Sequence, residues 1–233
     1  FGSGGGDVTF SGTVDGTSSL SVSSSGATTF VRVVGSLDPL ESLSTSAGGT
    51  TAIAGVVTSG NQSYGDDVSL SGLYSVRDGA FSVSGSSTLV GPVSVLGGDV
   101  LFNGSIDSQP GKGFQLALTP GDAKTANLNG AVGSTDPLGG LQLNAVADGS
   151  AMVNVNGTLE VQGNLGYSSD RGLDITEGVT AAFNRGAVVG NFSGAGVIMS
   201  SAEPMTISDF LISGNGKDGI QVTGANAATI SGN

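Results

Sequence analysis

Three aspartates form the densest group of chemistry-bearing side chains in the sequence: Asp66 and Asp67 are adjacent, and Asp78 follows Asp67 by eleven residues. Carboxylates are hard oxygen donors. If Asp67 and Asp78 fell on neighbouring turns of a repetitive fold, they could supply oxygens to calcium or act as an acid pair in glycoside hydrolysis. The commoner fate of such acids is a solvated turn, and that reading comes first here, with calcium the one cofactor the trio could hold. Asp170-Arg171-Gly172-Leu173-Asp174 occupies a corresponding place later in the chain, where Arg171 offsets its two aspartates. Composition removes most other chemistry. With no histidine and no cysteine, a His-based metal site, a Cys-His nucleophile, a histidine-activated serine and disulfide stapling are all unavailable. Gly111-Lys112-Gly113 lacks the spacing of a phosphate loop and is not followed by a helical pattern. No catalytic residue and no enzymatic activity are therefore expected.

Elements able to position such groups can be read from composition and period. The chain has 233 residues, nineteen acidic and seven basic, for a net charge of -12. That balance disfavours nucleic acid and anionic membrane surfaces, and the dispersal of the acids suits a solvated exterior. Forty-two glycines stand beside only six prolines with no three-residue glycine period, which excludes collagen. No tryptophan and only three tyrosines are present, so the core should be mainly medium aliphatic side chains and phenylalanine. The opening FGSGGGDVTF lacks the basic start and apolar stretch of a signal peptide, and no run is long enough to span a bilayer. The sequence starts and stops in mid-pattern, which suggests a fragment of a longer chain.

Apolar residues alternate with polar ones almost throughout, as at Val8 and Phe10, Val68 and Leu70, Val100 and Phe102, and Ile220 and Val222. Period two means strand, and the Gly, Ser, Asn and Asp clusters between these runs supply turns. A longer period lies above it. GGDVTFSGTVDG from Gly5 returns as GGDVLFNGSIDS from Gly97, VGSLDPLESL from Val34 as VGSTDPLGGL from Val132, and GNQSY from Gly60 as GNLGY from Gly163. The offsets are 92, 98 and 103 residues, in preserved order. Within these blocks, Asp38-Pro39-Leu40 and Asp136-Pro137-Leu138 should turn the chain outward, each Asp accepting nearby backbone N-H groups.

Two architectures fit: tandem β-sandwiches of about 100 residues each, or a solenoid in which several coils make a higher-order repeat. The strands are very short, and the stretch from Leu89 to Phe102 crosses the repeat boundary without a linker. Solenoid turns also absorb insertions as outward loops while neighbouring rungs keep stacking. The favoured reading is one continuous solenoid over 1–233, duplicated at about 5–96 and 97–211, with a further coil region at 212–233. ISGN occurs at Ile212 to Asn215 and again at Ile230 to Asn233, eighteen residues on. If that offset is one narrow coil, Ile212 stacks near Ile230 and Asn215 near Asn233. Val8, Phe10, Val100, Phe102, Ile220 and Val222 would join those isoleucines in the inner column.

The GGDVTFSGTVDG block, the segments carrying SGATTF and GTTAIAG, and the coil GNGKDGIQVTGANAATISGN resemble bacterial exported right-handed parallel β-helix proteins. They are most similar to filamentous-haemagglutinin-like and autotransporter-type adhesin passengers. The resemblance implies an all-β, right-handed parallel β-helix of the pectate-lyase-like superfold, secreted and displayed outside the cell or on a bacterial outer surface. It implies a non-catalytic scaffold or adhesin stalk, with a glycan or protein of a host or neighbouring cell as partner. The coil from Gly214 to Ile220 also resembles polysaccharide-processing β-helix enzymes, whose grooves pair acids with basic or aromatic residues that are scarce here. A third reading is a filament or sheath subunit that self-associates through its end coils.

Overall fold

Runs of three to five alternating residues closed by small polar ones can form short strands, but such strands hold together only if something pairs both of their edges. The computed structural model describes residues 2–144, 151–162, 173–175, 179–183, 186–189, 195–200, 204–223 and 227–233. Among them the regular elements are strands, every strand pair is parallel, and each strand pairs with those one coil before and after it. The fold is a parallel β-solenoid with three faces.

The first face is one 11-stranded sheet running from Gly2–Gly4 to Ala228–Ser231. The second begins at Val8–Phe10 and passes through Ala27–Phe30, Thr50–Ile53 and Ile106–Ser108. Bridges from Ile106 to Val132 and from Val132 to Leu159 carry it to Leu159–Gln162, Gly186–Val189 and Phe210–Ser213. The third face starts with bridges linking Val14, Val34 and Val56 and ends at Ile220–Val222. In mid-chain the second and third faces join. Asp67–Val76 pairs with Thr50–Ile53 through its first half and with Val56–Thr58 through its second, so one strand bends around a corner.

Parallel register makes each side-chain position a column along the axis. One inner column of the first face reads Leu43, Gln62, Phe81, Val100 and Ala126. Phe81 lies over Gln62, and Val100 over Phe81, at nineteen-residue intervals; Val153 and Ala181 are twenty-eight apart. Corners and loops absorb the difference. At its middle the interior is more aromatic than composition suggests: the Phe81 ring lies 5.7 Å from Tyr64, 5.4 Å from Tyr74 and 5.3 Å from Phe102. Such tilted and edge-on pairs match ring edges to ring faces. Burial pushes both tyrosine phenols above their ordinary value; Tyr74 donates its hydroxyl to the Ile53 carbonyl at 2.7 Å.

Val8, Val100 and Phe102 are buried, and Phe10 stacks on Phe30 at 4.7 Å. The expected pairing of the two ISGN tetrapeptides is corrected by the register. Ile212 belongs to the second face and lies beside Val188, whereas Ile230 belongs to the first and lies beside Ile207. Eighteen residues are short of a coil there: Met205 pairs with Ala228, twenty-three residues on. Asn215 follows the second-face strand, and Asn233 accepts the Phe210 N-H at 2.9 Å. Ile220 is partly buried against the core, while Val222 and Ile230 are 41% and 44% exposed on the last coil.

The matching sequence blocks fall on different faces. Val8–Phe10 lies on the second face, and Asp99–Phe102, its counterpart, on the first. Val34 bridges along the third face and Val132 along the second. Local geometry is nonetheless the same in both copies. Gly35 and Gly133 take φ of +70° and +72°, and a Cβ on either would strike a carbonyl oxygen of the next coil, so glycine alone fits. The loop backbone is accepted by a carboxylate of the preceding coil, Asp15 to the Leu37 N-H and Asp107 to the Thr135 N-H, each at 2.9 Å. The Asp of each Asp-Pro-Leu instead contributes its main-chain carbonyl, Asp38 to the Gly16 N-H and Asp136 to the Ser108 N-H.

Phe81→Ala should cost about 3–5 kcal/mol, because it removes a ring from a fully buried aromatic cluster. Leu37→Ser, at a side chain 80% exposed, should stay within about 0.5 kcal/mol. Urea unfolding of both variants checks this; equal losses would contradict the interior placement of Phe81.

Candidate functional site

Asp66 sits in the corner between Gln62–Tyr64 on the first face and Asp67–Val76 on the second. Its side chain turns inward, leaving the residue 5% exposed. Oδ1 accepts the hydroxyls of Thr51 and Thr45 at 3.0 and 3.2 Å, and Thr51 also reaches Oδ2 at 3.2 Å. Both threonines belong to the coil below. Burial pushes the Asp66 carboxyl above its ordinary value of 3.8; the Thr51 and Thr45 hydroxyls oppose the shift and the neighbouring Asp67 charge adds to it. Gln62 is a second buried polar group, its amide donating to the Val56 carbonyl, the Thr58 hydroxyl and the Ser75 carbonyl.

Asp67 faces the other way. It is exposed, and its Oδ1 accepts the Ser86 N-H of the next coil at 2.7 Å. Asp78 lies in an exposed turn whose main-chain N-H donates to the Ser59 carbonyl. The first two candidate acids thus point to opposite sides of the wall. Among the described residues, no three acids gather in a group that could hold a metal ion. Asp170, Arg171 and Gly172 lie outside the described residues. Gly111-Lys112-Gly113 forms a turn leading into the strand Gln115–Thr119, so no helix follows it.

What Asp67 does recurs along the chain. Asp7 accepts the Ala27 N-H at 2.8 Å, Asn61 the Ala80 N-H at 2.9 Å and Asp99 the Thr125 N-H at 2.9 Å. At a corner the strand ladder is interrupted and an N-H is left without a strand partner, and a short acceptor one coil earlier meets it. Asp99 also lies 3.5 Å from Lys124, an exposed pair worth little by itself. These caps carried a sequence signal, because Asp7, Asp67 and Asp99 each stand directly before a valine that opens the inner face of a strand.

Asparagines form a second inter-coil system at the corner after the first face. Asn129 donates to Asn103 at 2.9 Å and Asn156 to Asn129 at 2.8 Å; within the face itself, Asn154 donates to Asn127 at 2.9 Å. Glycines follow in register. A Cβ on Gly130 would overlap the Gly104 carbonyl and one on Gly157 the Gly130 carbonyl, so close stacking at this corner requires glycine. The recurrence of Asn-Gly at 103, 129 and 156 was the available signal.

No helix among the described residues is long and apolar enough to cross a membrane. No family model, curated protein or solved structure matches the chain.

Asp66 binds its proton more tightly folded than unfolded. Its favourable share is therefore complete below about pH 3.8 and is lost as pH rises through the raised folded value. Asp66→Asn should gain urea resistance relative to the parent between pH 4 and pH 7; a relative loss over that range would contradict the account. Asp67→Ala should cost about 1 kcal/mol by leaving the Ser86 N-H without its carboxylate, and faster hydrogen exchange at Ser86 would report it.

Proposed function

We propose that the chain is a non-catalytic segment of an extracellular or bacterial surface scaffold, a right-handed parallel β-helix acting as a rigid spacer and multivalent display surface. The observation that carries this reading is how the carboxylates are used. Asp7, Asp15, Asp67, Asp99 and Asp107 accept backbone N-H groups of the following coil, and Asp66 is enclosed with two threonines. Groups spent on holding coils together are poorly placed for acid–base work, which needs a carboxyl open to substrate. Handedness follows the strong general preference for right-handed crossovers between parallel strands. Membership of the pectate-lyase-like superfold and an adhesin role rest on the sequence resemblance.

A filament subunit is the second reading: coils are joined by parallel inter-coil hydrogen bonds throughout, and the same pairing could join one copy to another.

Small-angle scattering should show a rod, since eleven strands stacked about 4.8 Å apart span roughly 48 Å on the first face. Two separate globules would refute the scaffold. Concentration-dependent lengthening at constant cross-section would support the filament.

A further inference from the structure

The first face carries uncharged hydrogen-bonding groups in file along most of its length, whereas the shorter hydroxyl file of the second face, Thr9, Thr29, Ser69 and Thr88, is broken at Ala52 and gives way to Asp107. One outward column begins Ser21, Ser44, Ser63 and Ser82. After Leu101 it continues through Asn127 and Asn154, and later through Thr206 and Thr229. A neighbouring column two residues along each strand holds Ser46, Ser84, Asn103, Asn129 and Asn156, whose N-H groups all bond to the previous coil. Charged side chains are few on this face, where Asp99, outward on its strand, is paired with Lys124 at 3.5 Å, while Asp107 and Glu160 lie on second-face strands.

We propose that the outer surface of the 11-stranded sheet binds a neutral, extended polysaccharide lying along the solenoid axis. Hydroxyls and carboxamides both donate and accept, matching a polymer whose polar surface is hydroxyl. A net charge of -12 repels uronate or phosphate polymers, and the columns offer no cation to offset them. Coil spacing of about 4.8 Å is of the order of a sugar ring's length, so successive sugars meet successive coils. Each contact is weak; repetition on a rigid surface sums them with little ordering cost. Inter-coil bonds from Asn129 to Asn103 and from Asn154 to Asn127 hold the carboxamides in place before any ligand arrives.

This rests on the passive-scaffold reading, and the test separates the two. The full chain is run through native gels containing hydroxyethyl cellulose or, as the acidic counterpart, polygalacturonate, while the viscosity of the polymer is followed. Retardation by the neutral polymer alone is expected. Ser63→Lys with Ser82→Lys, and separately Asn127→Asp, should weaken it at least tenfold. Thr88→Lys on the second face should leave it within twofold, with circular dichroism confirming that every variant folds. The proposal is overturned by no retardation, by equal retardation with polygalacturonate, by an equal loss in Thr88→Lys, or by sedimentation showing that the first face instead pairs two copies. A fall in viscosity would overturn the passive reading and this one with it, whereas absent retardation at constant viscosity overturns this one alone.

Discussion

Everything in this molecule depends on backbone hydrogen bonds running along the axis, from each coil to the next. A strand of three or four residues has too little surface to hold itself, and its N-H and C=O groups must be met by the coils on either side. Parallel pairing in register is how they are met, and it fixes the rest. Once Phe81 lies between Gln62 and Val100, every inner position becomes part of a column and every outer one part of a file. Coil length can then vary widely while the columns stay aligned, since extra residues leave through the corners.

Corners are where that ladder fails, and the polar chemistry of the chain collects there. Aspartate and asparagine supply acceptors one coil away, asparagine side chains bond to one another, and glycine removes the Cβ that would keep coils apart. Negative charge in this chain is therefore partly an architectural material. Asp66 is the exception in kind. It lies inside the wall, bound to threonine hydroxyls, and its burial opposes ionisation, so at neutral pH it weighs against the stability its neighbours provide.

The class of fold was legible because period-two alternation and small turn residues say strand and corner wherever they occur, and the absence of a linker near Leu89 to Phe102 separated a solenoid from paired sandwiches. Register was not legible from tetrapeptides. ISGN recurs eighteen residues on, yet Ile212 and Ile230 sit on different faces, because a local pattern names a corner type and not which corner it is. Asp67 and Asp78 looked like a site because acids close in sequence suggest acids close in space. In a solenoid, direction matters as much as proximity: Asp66 and Asp67 are adjacent and point into opposite media. The better signal lay in Asp-Val recurring at strand starts, which joins a capping acceptor to the first buried side chain.

The two copies of the Val-Gly-Ser-Leu/Thr-Asp-Pro-Leu loop keep the same glycine conformation and the same aspartate acceptor while standing on different walls of the prism. A wall together with its corner is thus a portable module, and the three walls are near-equivalent lodgings for it. A lineage lengthening such a gene by tandem copying would not have to add complete revolutions. A single wall is the quantum of growth, and the surface chemistry facing any given direction can be reshuffled each time the copy number changes.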